Sequence, residues 1–481
     1  MNDERIPVVI GVGQSIERDE TVSALDMAER AGRAALDDAA GIGAAIDRVS
    51  LVNVVSSHGQ APATDLAARL GLSPTVCETT VLGGNTPQLL VNRASDQVSR
   101  GELTATMIVG AEAQRSVKTG VEVDLGGYGD RPDPEFGIER LGMGDAELGV
   151  ALLVPAHLYA MIDSALAASA GRTMSEHRHA LGELFAPFTD VAAKHPFAWF
   201  PESVSADELA TVTNDNRVVA EPYTKRLCAF FNVDQGAALI VCSLAAARRA
   251  GLADQAVFTW AGADVNDVWE VSARPDIAAS PAIAAAANGV LSAAGLGIDE
   301  IDLLDLYSCF PAAVQIAAAE SRASASTRPL TLTGGLPYFG GPGNNYTTHA
   351  IATAVERLRE GGSHALIGAL GWFVTKHSYG LYGSEPSAEG YTGVDCAHVQ
   401  DEIDVSARTV VAPGDDVSGS ATVVAATLVP DREGNVATAP AFADLPDGRR
   451  VVAQAADPDS VPVDLVGQEI STEGQTYRME D

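Results

Sequence analysis

Basic residues, cysteines and long apolar runs are all scarce in this 481-residue chain, and each scarcity excludes something. Lys and Arg together number 31 against 64 Asp and Glu, a formal net charge of −33. Nucleic-acid binding depends on cations that neutralise phosphates, so no nucleic-acid partner is expected. An anionic substrate would need a local positive pocket inside a repelling field. The five cysteines, Cys77, Cys228, Cys242, Cys309 and Cys396, contain no C-x-x-C pair and do not cluster with histidine. That spacing argues against a structural zinc site, and no metal is expected. A sparse, odd set of cysteines fits a reducing compartment. No uninterrupted apolar run reaches the ~18 residues of a membrane span. The start, MNDERIPVVIGVG, lacks the pattern of a signal peptide. A soluble, cytoplasmic protein is the expectation.

Two nucleotide motifs are also missing. Gly11 and Gly13 close a short β-branched run, but the third glycine of a dinucleotide loop is absent. The glycine-rich stretch 334–343 lacks the Lys-Ser/Thr of a phosphate loop, which excludes an NTPase. His177 and His179 are two apart and do not share a helix face, which weakens any metal reading.

What the chain does contain is a folded composition, 46% hydrophobic and 20% charged, and a length that calls for two to four domains. It also contains a repeat. Residues 298–310, IDEIDLLDLYSCF, share an acid, apolar and small-residue rhythm with residues 46–57, and each copy follows an Ala-rich helical run ending in paired glycines. Around the first copy the pattern predicts helix 23–38, strand 49–55, helix 64–70, strand 76–82, a helix opening at Gly83-Gly84-Asn85 and strand 105–109. Around the second it predicts helix 279–294, strand 301–306, helix 349–360 and strand 364–368. The paired order implies duplicated, parallel α/β halves.

Residues 117–219 interrupt the first half. They are turn-rich and acidic around 130–134, then helical, with aromatics at Phe185, Phe188, Phe197, Trp199 and Phe200. This insertion covers the mouth of the first half or is a plain structural cap, and its aromatics line a channel or fill its own core. Residues 389–481 contain no lysine and alternate short strands with turns, the pattern of a small β-barrel.

A duplicated α/β half, an inserted lid and these glycine-rich loops resemble the thiolase superfamily over about residues 5–380. More narrowly, the chain resembles the sterol-carrier-type thiolases and the actinobacterial type 1 thiolase-like proteins, labelled acetyl-CoA acetyltransferase, which carry an extra C-terminal domain. The resemblance implies a five-layered αβαβα fold. Residues 1–116 and 220–255 would form the N-terminal half, 117–219 the loop domain and 256–386 the C-terminal half. Residues 387–481 would form an additional oligonucleotide-binding-type (OB-like) barrel. It also implies an acyltransferase that handles coenzyme A or acyl-CoA with no covalent cofactor, and a homodimer, with a monomer as the alternative.

Thiolase chemistry needs a cysteine at a helix N-terminus, a histidine that activates it, a second cysteine that shuttles a proton, and an Asn or His that positions water. Counting back from Gly101-Glu102 and from Glu112 places the family's nucleophile at Gly84. The Gly-His-Pro motif falls on Gly340-Gly341-Pro342, which puts Gly341 at the histidine position. The second cysteine's loop is Leu366-Ile367-Gly368-Ala369-Leu370-Gly371, without cysteine, and the water-binding motif reads Tyr307-Ser308-Cys309-Phe310. All four positions are altered. The expected function is therefore a thiolase-like, CoA- or acyl-CoA-binding protein of lipid metabolism with little ordinary thiolase activity.

Two alternatives stand beside it, an active acyltransferase built around Cys309 and a scaffold subunit for lipid-metabolism partners. For the enzyme reading the candidate catalytic residues are Cys309, His349 and His377. Tyr307, Asn344, Asn345 and Lys376 are candidate ligand-binding groups, the asparagines as oxyanion donors and the lysine for a CoA phosphate. Against these stand plainer readings, Cys309 as a small buried hydrophobe and His349 as a helix-start cap.

Overall fold

A computed structural model describes residues 2–56, 61–119 and 133–480; of the acidic turn at 130–134, positions 130–132 lie outside them. The first half runs strand Pro7–Ile16, helix Ala24–Asp38, strand Arg48–Leu51, helix Pro62–Arg69, strand Val76–Thr80, helix Thr86–Arg100 and strand Ala105–Ala113. Ser23 and Asp26 start the first of these helices with a reciprocal capping box. Gly101, at φ +77°, ends the last, a left-handed geometry that favours glycine. In the second half helix Pro281–Ala294, strand Leu303–Leu306, helix Tyr346–Arg359 and strand His364–Gly371 follow the predicted order.

The strands predicted in each half pair in parallel as expected, and antiparallel strands are added to them. Arg48–Leu51 pairs in parallel with both Val76–Thr80 and Ala105–Ala113, and Leu303–Leu306 pairs in parallel with His364–Gly371. The next strand in each half, Asp234–Ser243 or Lys376–Gly383, runs antiparallel. The reason is visible in the second half, where a short turn after Gly371 sends the chain straight back as a hairpin, and a hairpin can join only antiparallel strands. In the first half the same connection, between Ala113 and Asp234, is the long insertion. The halves meet where Val8 and Val9 pair with Phe258 and Val257, making one mixed sheet.

Helices Thr86–Arg100 and Tyr346–Arg359 form the central layer. Leu90, Val91, Ala94 and Val98 of the first pack with Ala350, Ile351, Ala354 and Val355 of the second, and with Val9, Ile108, Leu239 and Ile367 of the strands. Residues 346–355 are all buried, as expected for a helix enclosed on every side. Helix Ala24–Asp38 covers the outer face of the first half and Pro281–Ala294 that of the second, completing five layers.

The C-terminal region closes into a five-stranded barrel, with Ser418–Ala426, Pro440–Asp444, Arg450–Ala455, Thr476–Met479 and Glu469–Glu473 as successive neighbours. Phe442 and Val452 of this barrel share one apolar cluster with Leu158 and Ile162 of helix Pro155–Ser169. Arg450, 1% exposed, joins barrel to body. Its Nη1 donates to Ser272 O at 3.1 Å and Arg274 O at 2.7 Å, while its Nε meets Asp444 Oδ1 at 2.7 Å.

Two predictions follow from these buried charges. Arg450→Ala leaves Asp444 its pair with Arg408 but leaves two buried carbonyls unmet, so it should cost about 1–3 kcal/mol and lower the calorimetric Tm. Separately, burial pushes the carboxyls of Glu112, Asp264 and Asp305 up to about 7. Groups raised in the folded state hold protons that the unfolded chain releases, so their stabilisation is complete below about pH 4 and is lost as pH rises toward 7. Calorimetry should therefore give a lower Tm at pH 7.5 than at pH 5, and Asp305→Asn should flatten that fall.

Candidate functional site

One cavity of about 420 Å³ lies where the two halves, the insertion and the second-half hairpin meet. Gly83 and Gly84 reach it from the start of the first central helix, Tyr307 and Cys309 from the end of strand Leu303–Leu306, and Gly341, Gly343 and Asn344 from the glycine-rich loop. Met143, Leu153, Pro155 and Tyr159 come from the insertion. Thus Gly84, Gly341, Tyr307, Cys309 and Leu370, far apart in sequence, line a single space.

Its centre is the packing of Tyr307 on Gly84. A Cβ at position 84 would overlap the Tyr307 hydroxyl oxygen and lie 2.6 Å from Leu370 O. No side chain fits there while Tyr307 keeps its place. Gly341 is different, because a Cβ there would have no neighbour closer than Phe230 O at 3.4 Å, an ordinary contact. Along 307–309 the side chains alternate. Tyr307 and Cys309 line the cavity, whereas Ser308 turns to the Tyr346 hydroxyl at 3.5 Å, within a buried cluster with Thr333 and Asp305.

Cys309 is buried, and desolvation pushes its thiol up to about 12, with the Tyr159 hydroxyl as its side-chain partner. Burial, and then the neighbouring Cys309 and Tyr346, raise the Tyr307 phenol well above its ordinary value. Both groups are therefore uncharged at neutral pH.

The two candidate histidines do not join them. His349 Nδ1 pairs with Gln14 Oε1 at 2.8 Å, its ring packs edge-on against Phe339, and burial followed by His195 depresses it to about 3. His377 Nε2 lies 3.5 Å from Asp267 Oδ2. Neither lines the cavity. The grouping of Cys309 with His349 and His377 is therefore corrected: His349 is hydrogen-bonded to Gln14, and His377 stands beside Asp267, away from the cavity. The helix-start reading of His349 also fails, since the helix begins at Tyr346.

The proposed donors are committed elsewhere too. Asn344 accepts from Gly83 N–H at 2.9 Å and donates to Asn53 O at 3.0 Å. Asn345 donates to Gly110 O at 2.6 Å and accepts from the Thr348 hydroxyl. Lys376 Nζ donates to Leu82 O at 2.6 Å, and burial lowers it to about 8. Asn344 and Lys376 tie down the backbone beside Gly84, and Asn345 ties the second central helix to strand Ala105–Ala113.

Tyr159, Trp372 and Phe373 are among the lining residues that had no sequence signal. Tyr159 is one apolar position in a helix whose every face is apolar. Trp372 and Phe373 occupy the hairpin tip, where Trp372 and Val374 take φ of +57° and +56°. Left-handed backbone is costly for such residues and recurs at ligand sites. Here the Tyr159 hydroxyl bonds Trp372 O at 2.7 Å and holds the tip. Phe185 and Phe188 of the insertion stack on each other and lie away from the cavity lining, as core.

No family model and no curated protein matches the chain. Solved structures do. A monomeric SCP2-thiolase-like protein type 1 from Mycobacterium smegmatis is 31% identical, with 100% of both chains covered and a TM-score of 0.86. An acetyl-CoA acetyltransferase from Syntrophomonas wolfei is 16% identical over 79% of this chain and 99% of its own, with a TM-score of 0.59. Human mitochondrial 3-ketoacyl-CoA thiolase, solved in complex with CoA, is 16% identical over 79% and 98%, at 0.55. The last two establish the fold alone. The full-length match, together with the duplicated five-layered body, the insertion and the closed C-terminal barrel, places this chain in the thiolase superfamily, among the SCP2-thiolase-like proteins.

Proposed function

We propose that this protein binds an acyl-CoA, or the acyl part of one, and does not carry out ordinary thiolase chemistry. One observation carries the reading: the helix start that presents the nucleophile in thiolases is here a glycine whose side-chain space is taken by Tyr307. A helix N-terminus lowers the pKa of a thiol placed on it, but this one carries no thiol. The remaining thiol, Cys309, is held protonated near pH 7 by burial, and its neighbour is a phenol instead of a base. A thiol without a thiolate fraction is a poor nucleophile, which speaks against the acyltransferase alternative.

Ligand binding is supported by the cavity's volume, which lies within the usual range for small-molecule sites, and by its lining of aromatic and aliphatic side chains. The human thiolase binds CoA. Here Lys376 is turned inward, so CoA binding would rest on the acyl and pantetheine parts more than on phosphate contacts.

The homodimer expected by analogy gives way to a monomer in this reading. The M. smegmatis protein is described as monomeric. The edge of strand Val76–Thr80 is occupied by the short strand Glu135–Phe136, which leaves no long free edge there for a second copy. The domain limits given above and a cytoplasmic location belong to the same proposal. Among the described residues, no helix is long and apolar enough to cross a membrane.

Thiolysis of acetoacetyl-CoA should be undetectable above background, and Cys309→Ala should leave that result unchanged; turnover lost in the variant would contradict the reading. The steric claim has its own test. Gly84→Cys alone should destabilise the protein or yield an unreactive thiol. In Gly84→Cys combined with Tyr307→Ala, which relieves the phenol overlap but not the one with Leu370 O, part of the Tm lost in the single variant should return.

A further inference from the structure

Among the described residues that line the cavity there is no Asp, Glu, Lys, Arg or His. A carboxylate or phosphate placed inside would lose its hydration without gaining an opposite charge, which is strongly unfavourable. The cavity does have hydrogen-bond donors. Tyr307 is 8% exposed, and among the described residues its hydroxyl has no hydrogen-bond partner. It lies against Gly84, whose N–H, just ahead of the first central helix, also has no partner among the described residues. A buried donor without an acceptor costs free energy that an incoming acceptor recovers.

The rest of the wall is apolar and continues outward. Val55, Leu153 and Phe231 line the cavity yet remain 39%, 56% and 49% exposed. They form an apolar collar at the mouth.

We propose that Tyr307 is the polar anchor of a site for uncharged carbonyl compounds with an apolar chain, such as ketones, esters and acyl thioesters. The phenol donates to the carbonyl oxygen while the chain lies along the apolar wall and collar. This rests on the reading that the cavity binds a ligand, and it adds the ligand's class and the residue that selects it. Burial keeps the phenol protonated, so it remains a donor throughout the neutral range.

The test titrates the full-length protein, followed by tryptophan fluorescence, with four ten-carbon probes: 2-decanone, decanoate, decylamine and 1-chlorodecane. Wild type should bind 2-decanone at least tenfold more tightly than decanoate or decylamine. Tyr307→Phe should weaken 2-decanone about tenfold and leave 1-chlorodecane unchanged, since it removes a hydrogen bond and little else. Tyr307→Leu, which also removes the hydroxyl, should abolish the same preference and serves if Tyr307→Phe does not fold. If wild type binds none of the four, the ligand-cavity reading itself falls. If it binds 2-decanone and both variants bind it equally well, the cavity stands and the anchor is overturned. Decanoate bound as tightly as the ketone would overturn the uncharged class.

Discussion

A phenol oxygen and a side chain at position 84 cannot occupy the same space, and that exclusion organises the site. It joins the end of one strand in the second half to the start of the central helix in the first half. Tyr307 is fixed from behind, edge to face with Tyr346, which is anchored by the Thr333 hydroxyl at 2.6 Å. Gly84 is fixed by Asn344, which holds the neighbouring Gly83 N–H, and by the Thr347 hydroxyl on Gly84 O at 3.0 Å. Both sides of the contact are therefore held by residues of the second central helix or of the loop that precedes it. Movement of the Gly84 side would cost buried hydrogen bonds, and movement of Tyr307 would cost its ring packing on Tyr346.

The same packing explains why polar residues around the cavity are structural. The loop at Leu82-Gly83-Gly84 has backbone groups to satisfy, and Asn344 and Lys376 satisfy two of them, while Asn345 ties the second central helix to Gly110 O. Their charges and amides are consumed in those contacts. Among the described residues, those that line the cavity are uncharged. Binding by apolar contact and a few neutral donors is the chemistry that such a lining permits.

The sequence made the fold legible because its signals were local and repeated. Paired glycines after each Ala-rich helix, and the same strand–helix order twice, marked the halves; Gly101 and Gly295 do end helices in the left-handed conformation. Strand direction was less legible, since periodicity does not distinguish a hairpin return from a crossover. The glycine at 84 could be located by counting, but not that Tyr307, more than two hundred residues away, fills its space. His349 and His377 failed for a related reason: proximity of loops in a fold does not say where a ring points, and these rings point to Gln14 and toward Asp267 instead of the cavity. Trp372 and Phe373 carried no pattern because their role comes from a left-handed turn stabilised by Tyr159.

The central claim is that no side chain in this cavity accepts an acyl group from a thioester. Intact-protein mass spectrometry after incubation with acetoacetyl-CoA or acetyl-CoA at neutral pH tests it directly, with peptide mapping of all five cysteines. The account predicts an unmodified chain. An acetyl group found on Cys309 would contradict it.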